Sequence, residues 1–318
     1  NATGITRSLE LADRIASARM RLHERLTRLD TGSLGISEYN QRYLGQKLAS
    51  LDSVLQLYGE ILYLALDRSP VPVDESVLVD YGGGSGVISF LAREMGLKTV
   101  IYNDIYDVSC ADVELLSSAL DLRLDGIVCG DVEELVSYVR DRTILVNAVV
   151  SYDVLEHIYD LEAHFRALRS LSDGALRLVY ASGANIKNPR YVRSAKKKQM
   201  EAERESRERK WGHKERDTLE AYLEVRKRMI RALVPGLDHE VVERLARATR
   251  GLRRHDIENR VREYCATGHV AYRMEHPTNT CDPYTGNWCE RLIDLDWLER
   301  IIADAGFGVE IRPGRYVV

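Results

Sequence analysis

The chain has 318 residues, room for one large domain with an insertion or for two modest ones. Hydrophobic residues make up 45% and charged residues 30%, which excludes a disordered chain, and no apolar run approaches the roughly 18 residues a membrane helix needs. A net charge of -4 excludes a uniformly basic nucleic-acid binder, and five cysteines at irregular spacings exclude a disulfide framework.

The first 30 residues are charged and lack an apolar signal core, so no secretory signal is expected. The chain opens on Asn1 and not on Met, which leaves a leader or tag to be expected ahead of it. A reduced, cytoplasmic protein is the resulting expectation. From Ile5 to Leu29, the residues Leu9, Ile15, Met20, Leu22 and Leu26 recur at helical spacing. Thr31, Gly32, Ser33 and Gly35 break that pattern. Ser37 is the expected N-cap of a second helix running to Leu66, with Leu44, Leu48, Leu51, Leu55, Tyr58 and Leu62 on one face. Pro70 and Pro72 stop it.

The texture changes at Val77. Short apolar runs at Val77–Asp80, Thr99–Tyr102, Gly126–Cys129, Ile144–Val150 and Leu176–Tyr180 alternate with helical stretches at Val87–Met95, Ala111–Leu120, from Val132 onward, and at Leu161–Leu171. Strands apolar on both faces and separated by helices predict a parallel sheet covered on both sides. Residues 190–265 are helical and charged, interrupted at Pro235-Gly236. Between Lys187 and Arg231 stand 16 Lys and Arg against 8 Asp and Glu. That stretch reads either as a solvated helix laced with ion pairs or as an attractor of an anionic ligand. Val270–Met274 is an expected strand, Pro277–Trp288 a turn-rich loop, and Asp294–Asp304 a last helix stopped at Gly306. Val309–Ile311 and Arg315–Val317 flank Arg312-Pro313-Gly314 as an expected hairpin.

The sharpest motif is Leu78-Val79-Asp80-Tyr81-Gly82-Gly83-Gly84-Ser85-Gly86, between a predicted strand and a predicted helix. Glycines there let the backbone approach a ligand closely, and the helix start favours negative groups. Asp104 ends the next strand, where a carboxylate can accept hydrogen bonds from both ribose hydroxyls. Asp131 ends the third. The dinucleotide fingerprint fails in both registers, at Val87 and at Ser89, and no Gly-Lys-Ser/Thr follows for a P-loop. Asp80 would repel pyrophosphate and suits a cationic or zwitterionic ligand.

Together, Asp80-x-Gly82-x-Gly84-x-Gly86, Asp104, Gly130-Asp131, the run Val149 to His157, and Ala305-Gly306-Phe307 resemble class I S-adenosylmethionine-dependent methyltransferases. The resemblance covers residues 71–184 and 290–318. Asn147 departs from it, standing where many members carry an Asp. It implies a Rossmann-like α/β fold: a seven-stranded, mostly parallel sheet with a C-terminal antiparallel hairpin. N-terminal helices (1–70) would form a cap, and 185–289 a helical lid with an acceptor-site loop. It implies S-adenosylmethionine as cofactor and S-adenosylhomocysteine as product. Tyr81, Gly82, Gly84 and Gly86 would hold the methionine part, oriented by Asp80. Asp104 would bind the ribose, Ile105 would pack on adenine, and Asp131 and Val132 would read its edge. Ser151 would lie near the methionine end, and Tyr39 and Tyr43 could close over the cofactor.

Methyl transfer to an alcohol also needs a base. His157 is the first candidate, since imidazole titrates near neutrality, then His276, with Asp153 beside them. Asp153, Glu156 and His157 share the spacing of a divalent-metal set, but no metal site is assigned. Cys265, His269, His276, Cys281 and Cys289 fit no tight zinc pattern. Arg273, Glu275 and Asn287 are further candidate acceptor contacts. The expected activity is methyl transfer to a small-molecule or sugar-type acceptor, at oxygen. The alternatives are an RNA or protein methyltransferase using the basic segment, or a non-enzymatic cofactor binder. Expected partners are the small-molecule acceptor and a second copy of the chain, with neither membrane nor nucleic acid.

Overall fold

The computed structural model describes residues 2–172, 174–209 and 213–314. They divide into two compact units. The first is Asn1–Val154 with Glu162–Ala181 and Ile302–Val318; the second is Leu155–Leu161 with Ser182–Ile301.

In the first unit, β1 (Val77–Tyr81), β2 (Thr99–Asp104), β3 (Gly126–Cys129), β4 (Ala148–Tyr152) and β5 (Arg177–Ala181) form one sheet in the order β3-β2-β1-β4-β5. All four pairings are parallel. The chain starts in the middle, winds to one edge, and returns to the other, which is the doubly wound Rossmann-like arrangement. Alternate residues face opposite sides of such a sheet. Leu78, Val100, Tyr102, Ala148 and Val150 join the core that includes α1 (Ala2–Thr27), α3 (Leu51–Leu66), α4 (Val87–Glu94) and α5 (Asp107–Ala119). Val79, Ile101 and Val149 are fully buried on the other side. There α7 (Leu161–Arg169) sets His164 against the Tyr81 ring, at 4.8 Å, and Phe165 against Tyr180, at 5.6 Å. Between β3 and β4 lies α6 (Val132–Asp141), whose start is fixed by a capping box of Asp131 and Glu134.

Several expectations are corrected. The sheet has five strands among the described residues, not seven, and no antiparallel hairpin. Val309–Ile311 is not a strand: Ile311 is half exposed, and Glu310 is paired locally with Arg312. Arg315, Tyr316 and Val317 lie outside the described residues. The single helix expected from Ser37 is two, α2 (Glu38–Ala49) and α3, parted at Ser50, whose φ of -134° leaves the helical range. Ser37 does cap α2, accepting from the Asn40 amide. Leu9 and Met20 do not face the core of α1. Leu11, Ile15, Ala18, Leu22 and Leu26 do. The fourth strand begins at Ala148, not Ile144. Asn147 sets that start, its side-chain oxygen accepting from the Val77 amide at 2.8 Å while its own amide donates to the Val77 carbonyl.

The second unit is mostly helical: α8 (Pro189–Arg204), α9 (Tyr222–Leu233), α10 (His239–Ala248) and α11 (Arg254–Thr267). Ile230, Val242, Leu245, Ala246, Leu252, Ile257 and Val261 form its apolar centre. Val270–Met274 packs there as irregular chain rather than as a strand, with the Tyr272 hydroxyl donating to the Arg250 carbonyl. Beside this centre, Arg226 is fully buried. Its guanidinium binds the Glu203 carboxylate and donates to the Ala246 carbonyl, and Thr280 donates to the other Glu203 oxygen. The turn-rich segment is ordered by buried side chains. Asp282 accepts from the amides of Thr218, Tyr284 and Thr285, and Asn279 pairs with both the amide and the carbonyl of Leu292. The last helix, α12 (Leu295–Asp304), ends before Gly306. No described helix is long and apolar enough to cross a membrane.

Candidate functional site

The carboxyl ends of β1 and β2 meet at the glycine loop. The amides of Gly82 and Gly83 both donate to the Asn103 carbonyl, and the Gly86 amide donates to the Gly83 carbonyl. Gly82, Gly84 and Gly86 all have positive φ, between 55° and 73°, which favours glycine. Side chains would not fit either. A Cβ on Gly82 would lie 2.4 Å from the Val154 side chain, and one on Gly83 2.6 Å from Tyr102. Glycine at these positions lets neighbouring side chains pack directly on the loop backbone.

Asp104 draws the two strand ends together. One carboxylate oxygen accepts from the Gly84 amide at 2.9 Å, the other from the Tyr106 amide at 2.8 Å. Each oxygen keeps a second lone pair. Ile105, next to it, is 45% exposed and offers an apolar face. Tyr81 lies between Asp104 and Asp131. Burial raises its phenol pKa, and those two carboxylates raise it further. Asp131 itself is exposed and caps α6 through the Glu133 amide, with Val132 buried behind it. Asp80 is 1% exposed and braces the start of α4, accepting from the Ser89 hydroxyl at 2.7 Å and the Ser89 amide. Burial pushes its carboxyl up to about 6, against the opposing pull of Ser89 and of Lys47. Ser151 donates to the Tyr81 carbonyl at 2.8 Å, so its hydroxyl ties β4 to β1.

Helix α2 lies over this loop. The Tyr43 ring comes within 3.0 Å of where a Gly84 Cβ would stand. Tyr39 stacks on Tyr43 at 6.2 Å and meets Tyr106 edge-on. The Lys47 ammonium sits 4.5 Å from the Tyr43 ring centre and 5.3 Å from that of Tyr58. Burial lowers Lys47 to about 8, and Asp80, Asp153 and Asp104 oppose that shift. A latch on α5 fixes this helix. The Asp112 carboxylate accepts from the Ser37 amide, the Ser37 hydroxyl and the Asn40 side chain.

Among the expected catalytic residues, Asp153 belongs to the first unit. Its φ is +53°, and its amide donates to the Ala181 carbonyl. His157 and His276 belong to the second. His157 Nδ1 lies 3.0 Å from the Trp288 carbonyl, and His276 Nδ1 bonds Thr278. Burial lowers the His276 pKa, and Lys196 and Arg250 lower it further. Glu156, also in the second unit, is 3% exposed and accepts from Ser182. Its burial raises it to about 7. Among the described residues, no group of three or more His, Cys, Asp or Glu could hold a metal ion. That covers Asp153, Glu156 and His157, and the Cys265 to Cys289 set. All five cysteines are free thiols.

Lys47 and Asp112 are missed by sequence reasoning, and Ser85 stands in the glycine motif without a role of its own. Nothing in their local pattern marks them, since a lysine on an amphipathic helix or a serine in a turn is ordinary. Ser85, in the glycine loop, is 1% exposed, and its hydroxyl has no hydrogen-bond partner among the described residues. An orphaned buried hydroxyl is costly.

No protein-family description matches the chain, and no curated protein matches it. Among solved structures, a crystal structure of PRMT6 is similar at 17% identity, covering 42% of this chain and 41% of that one, with a TM-score of 0.32. A crystal structure of PRMT6-SAH is similar at 19% identity, covering 46% of this chain and 49% of that one, with a TM-score of 0.31. This chain thus spans less than half the length of each. The expected partners are corrected on this point. Structures of PRMT6 give the expected small-molecule acceptor and the exclusion of nucleic acid no support.

Proposed function

We propose that the chain is an S-adenosylmethionine-dependent methyltransferase whose cofactor is held by the loop between β1 and α4. The observation that carries this reading is the Asp104 carboxylate bound to the amide of Gly84, with the orphaned Ser85 hydroxyl one residue on. The residues present match the cofactor group by group. Asp80 answers its ammonium, and Lys47 its carboxylate. Asp104 answers the ribose hydroxyls, and Ile105 the flat apolar ring. Asp131 and the Val132 amide suit the polar edge of that ring. Ser85 supplies a hydroxyl that has no other use, and Ser151 stands at the methionine end of the set. When bound, the cofactor supplies an activated methyl group.

The chain's own contribution is alignment and exclusion of water. Gly82, Gly84 and Gly86 keep the backbone bare, while Tyr81 and Tyr43 line it. For the proton, His157 is the first choice. With Nδ1–H donating to the Trp288 carbonyl, Nε2 carries the lone pair. His276, whose lowered pKa favours neutral imidazole, is the second, and Asp153 the third.

Calorimetric titration with S-adenosylmethionine and S-adenosylhomocysteine tests the reading. Binding is expected for the wild type, weakened about tenfold or more in Asp104→Asn, the scale of a lost charge-assisted hydrogen bond. Asn keeps an acceptor for one backbone amide, so the variant should fold. Absence of binding by the wild type, or undiminished binding by the variant, overturns it.

A further inference from the structure

Helix α8 carries an array of cations that the rest of its unit does not satisfy. Its buried side is Ala195, Gln199, Ala202 and Glu203. At about 100° per residue, Arg190, Arg193, Lys196, Lys197 and Arg204 fall on an adjoining arc of about 120°. All five are exposed, and none has an ion-pair partner among the described residues. They extend over 14 residues, about 21 Å of helix. The two acids of this helix do not neutralise them. Glu203 is buried against Arg226, and Glu201, at the edge of the arc, makes no ion pair with the five among the described residues.

Other helices of the same unit behave differently. Lys227 is bound by Glu224 and Glu243, Arg228 by Glu220, Arg247 by Glu243, Arg260 by Glu263, and Arg262 by Glu258. Thus the basic segment read from the sequence separates into two parts. Along α9, where Lys227 and Arg228 are paired, it is largely a solvated surface laced with ion pairs. Along α8 it is a row of like charges whose mutual repulsion goes unrelieved within the unit.

We propose that the α8 stripe binds the phosphodiester backbone of RNA. A protein partner generally needs aromatic or aliphatic anchors at the centre of its interface. The stripe offers none: its apolar neighbour is the half-buried Met200. What it offers is a line of charges, three of them arginines whose planar forks match phosphate oxygens. Such a surface tracks a backbone and does not read base sequence. The inference uses no part of the cofactor site and stands or falls separately from it.

Fluorescence anisotropy with a labelled single-stranded uridine 20-mer tests it on the full chain. Five phosphate contacts predict a log–log salt slope of about -3.5, or about 100-fold weaker binding at 200 mM than at 50 mM salt. Replacing Arg190, Arg193 and Lys197 together by Ala should bring the slope to about -1.4. A second triple variant, with Arg190→Lys, Arg193→Lys and Lys197→Arg, should retain it. The proposal is overturned by absence of binding at 50 mM salt, or by a slope unchanged in the alanine variant. Equal affinity for a labelled glutamate 20-mer would also overturn it, by placing an acidic protein on the stripe.

Discussion

Asp80 and Lys47 are each held in the less comfortable protonation state by burial, one partly relieving the other. Because the folded-state pKa of Asp80 is raised to about 6, the folded protein binds a proton there that the unfolded chain releases near 4. Stability from this group therefore falls as pH rises from about 4 to 6, by up to about 3 kcal/mol. Lys47, lowered to about 8, has the opposite sign: its contribution is regained as pH rises from about 8 to 10.5. Subtracting the urea-unfolding profile of Asp80→Asn from that of the wild type should isolate the first slope. An unsloped difference would contradict the burial argument. A cationic ligand should bind more tightly as pH rises through 6, and Lys47→Met should move the Asp80 titration upward, as read by carboxyl NMR. Of this cluster, Asp80, Asp104 and the glycines were legible in the sequence because strand, turn and helix start are contiguous. Lys47 was not, because its environment is made by Tyr58 and by carboxylates 33 to 106 positions further along the chain.

Elements were legible where the hydrophobic period changed and hidden where it did not. Leu44, Leu48, Leu51 and Leu55 keep helical spacing straight through Ser50, so the turn between α2 and α3 leaves no mark on the pattern. Val309 and Ile311 alternate like a strand, yet alternation alone does not supply a partner edge. Buried polar contacts were equally invisible, because Arg226 reads as one more base in a charged stretch. Its replacement tests how far the helices of the second unit rest on it. Arg226→Ala leaves the buried Glu203 carboxylate with Arg250, 3.9 Å away, as its remaining cation and should cost about 3 kcal/mol. Arg226→Met with Glu203→Leu should recover much of that loss, as measured by chemical denaturation. A single replacement as stable as the wild type would show that water reaches Glu203.

At the scale of the whole molecule, the chain passes between the two units four times, at 154/155, 161/162, 181/182 and 301/302. Each unit has its own apolar centre, so unfolding need not be a single cooperative step. Calorimetry should resolve two transitions. Saturation with S-adenosylmethionine at about 100 times its Kd should stabilise one of them by about 2.7 kcal/mol. The transition that moves should be the one Asp104→Asn leaves unmoved by ligand. A single transition that moves as a whole would mean that the units unfold together. A parallel sheet covered on both faces was legible from the alternation of strands and helices; its Rossmann-like arrangement was expected only through the family resemblance. A separate segment was expected at 185–289, and the second unit takes Ser182–Ile301 with Leu155–Leu161; the short Leu155–Leu161 piece was not legible, because it depends on which distant segments meet.

The tether of α2 to Asp112 has a consequence for time rather than affinity. Tyr43 rests on Gly84, so a ligand reaching that amide displaces the ring first. The ring is carried by a helix whose first turn is pinned at Ser37 and Asn40. Entry is then gated by the opening of α2, and association should level off at a ceiling as ligand concentration rises. In Asp112→Ala, stopped-flow traces should instead quicken in proportion to concentration. The pin would be what decides how long an occupant, once inside, remains there.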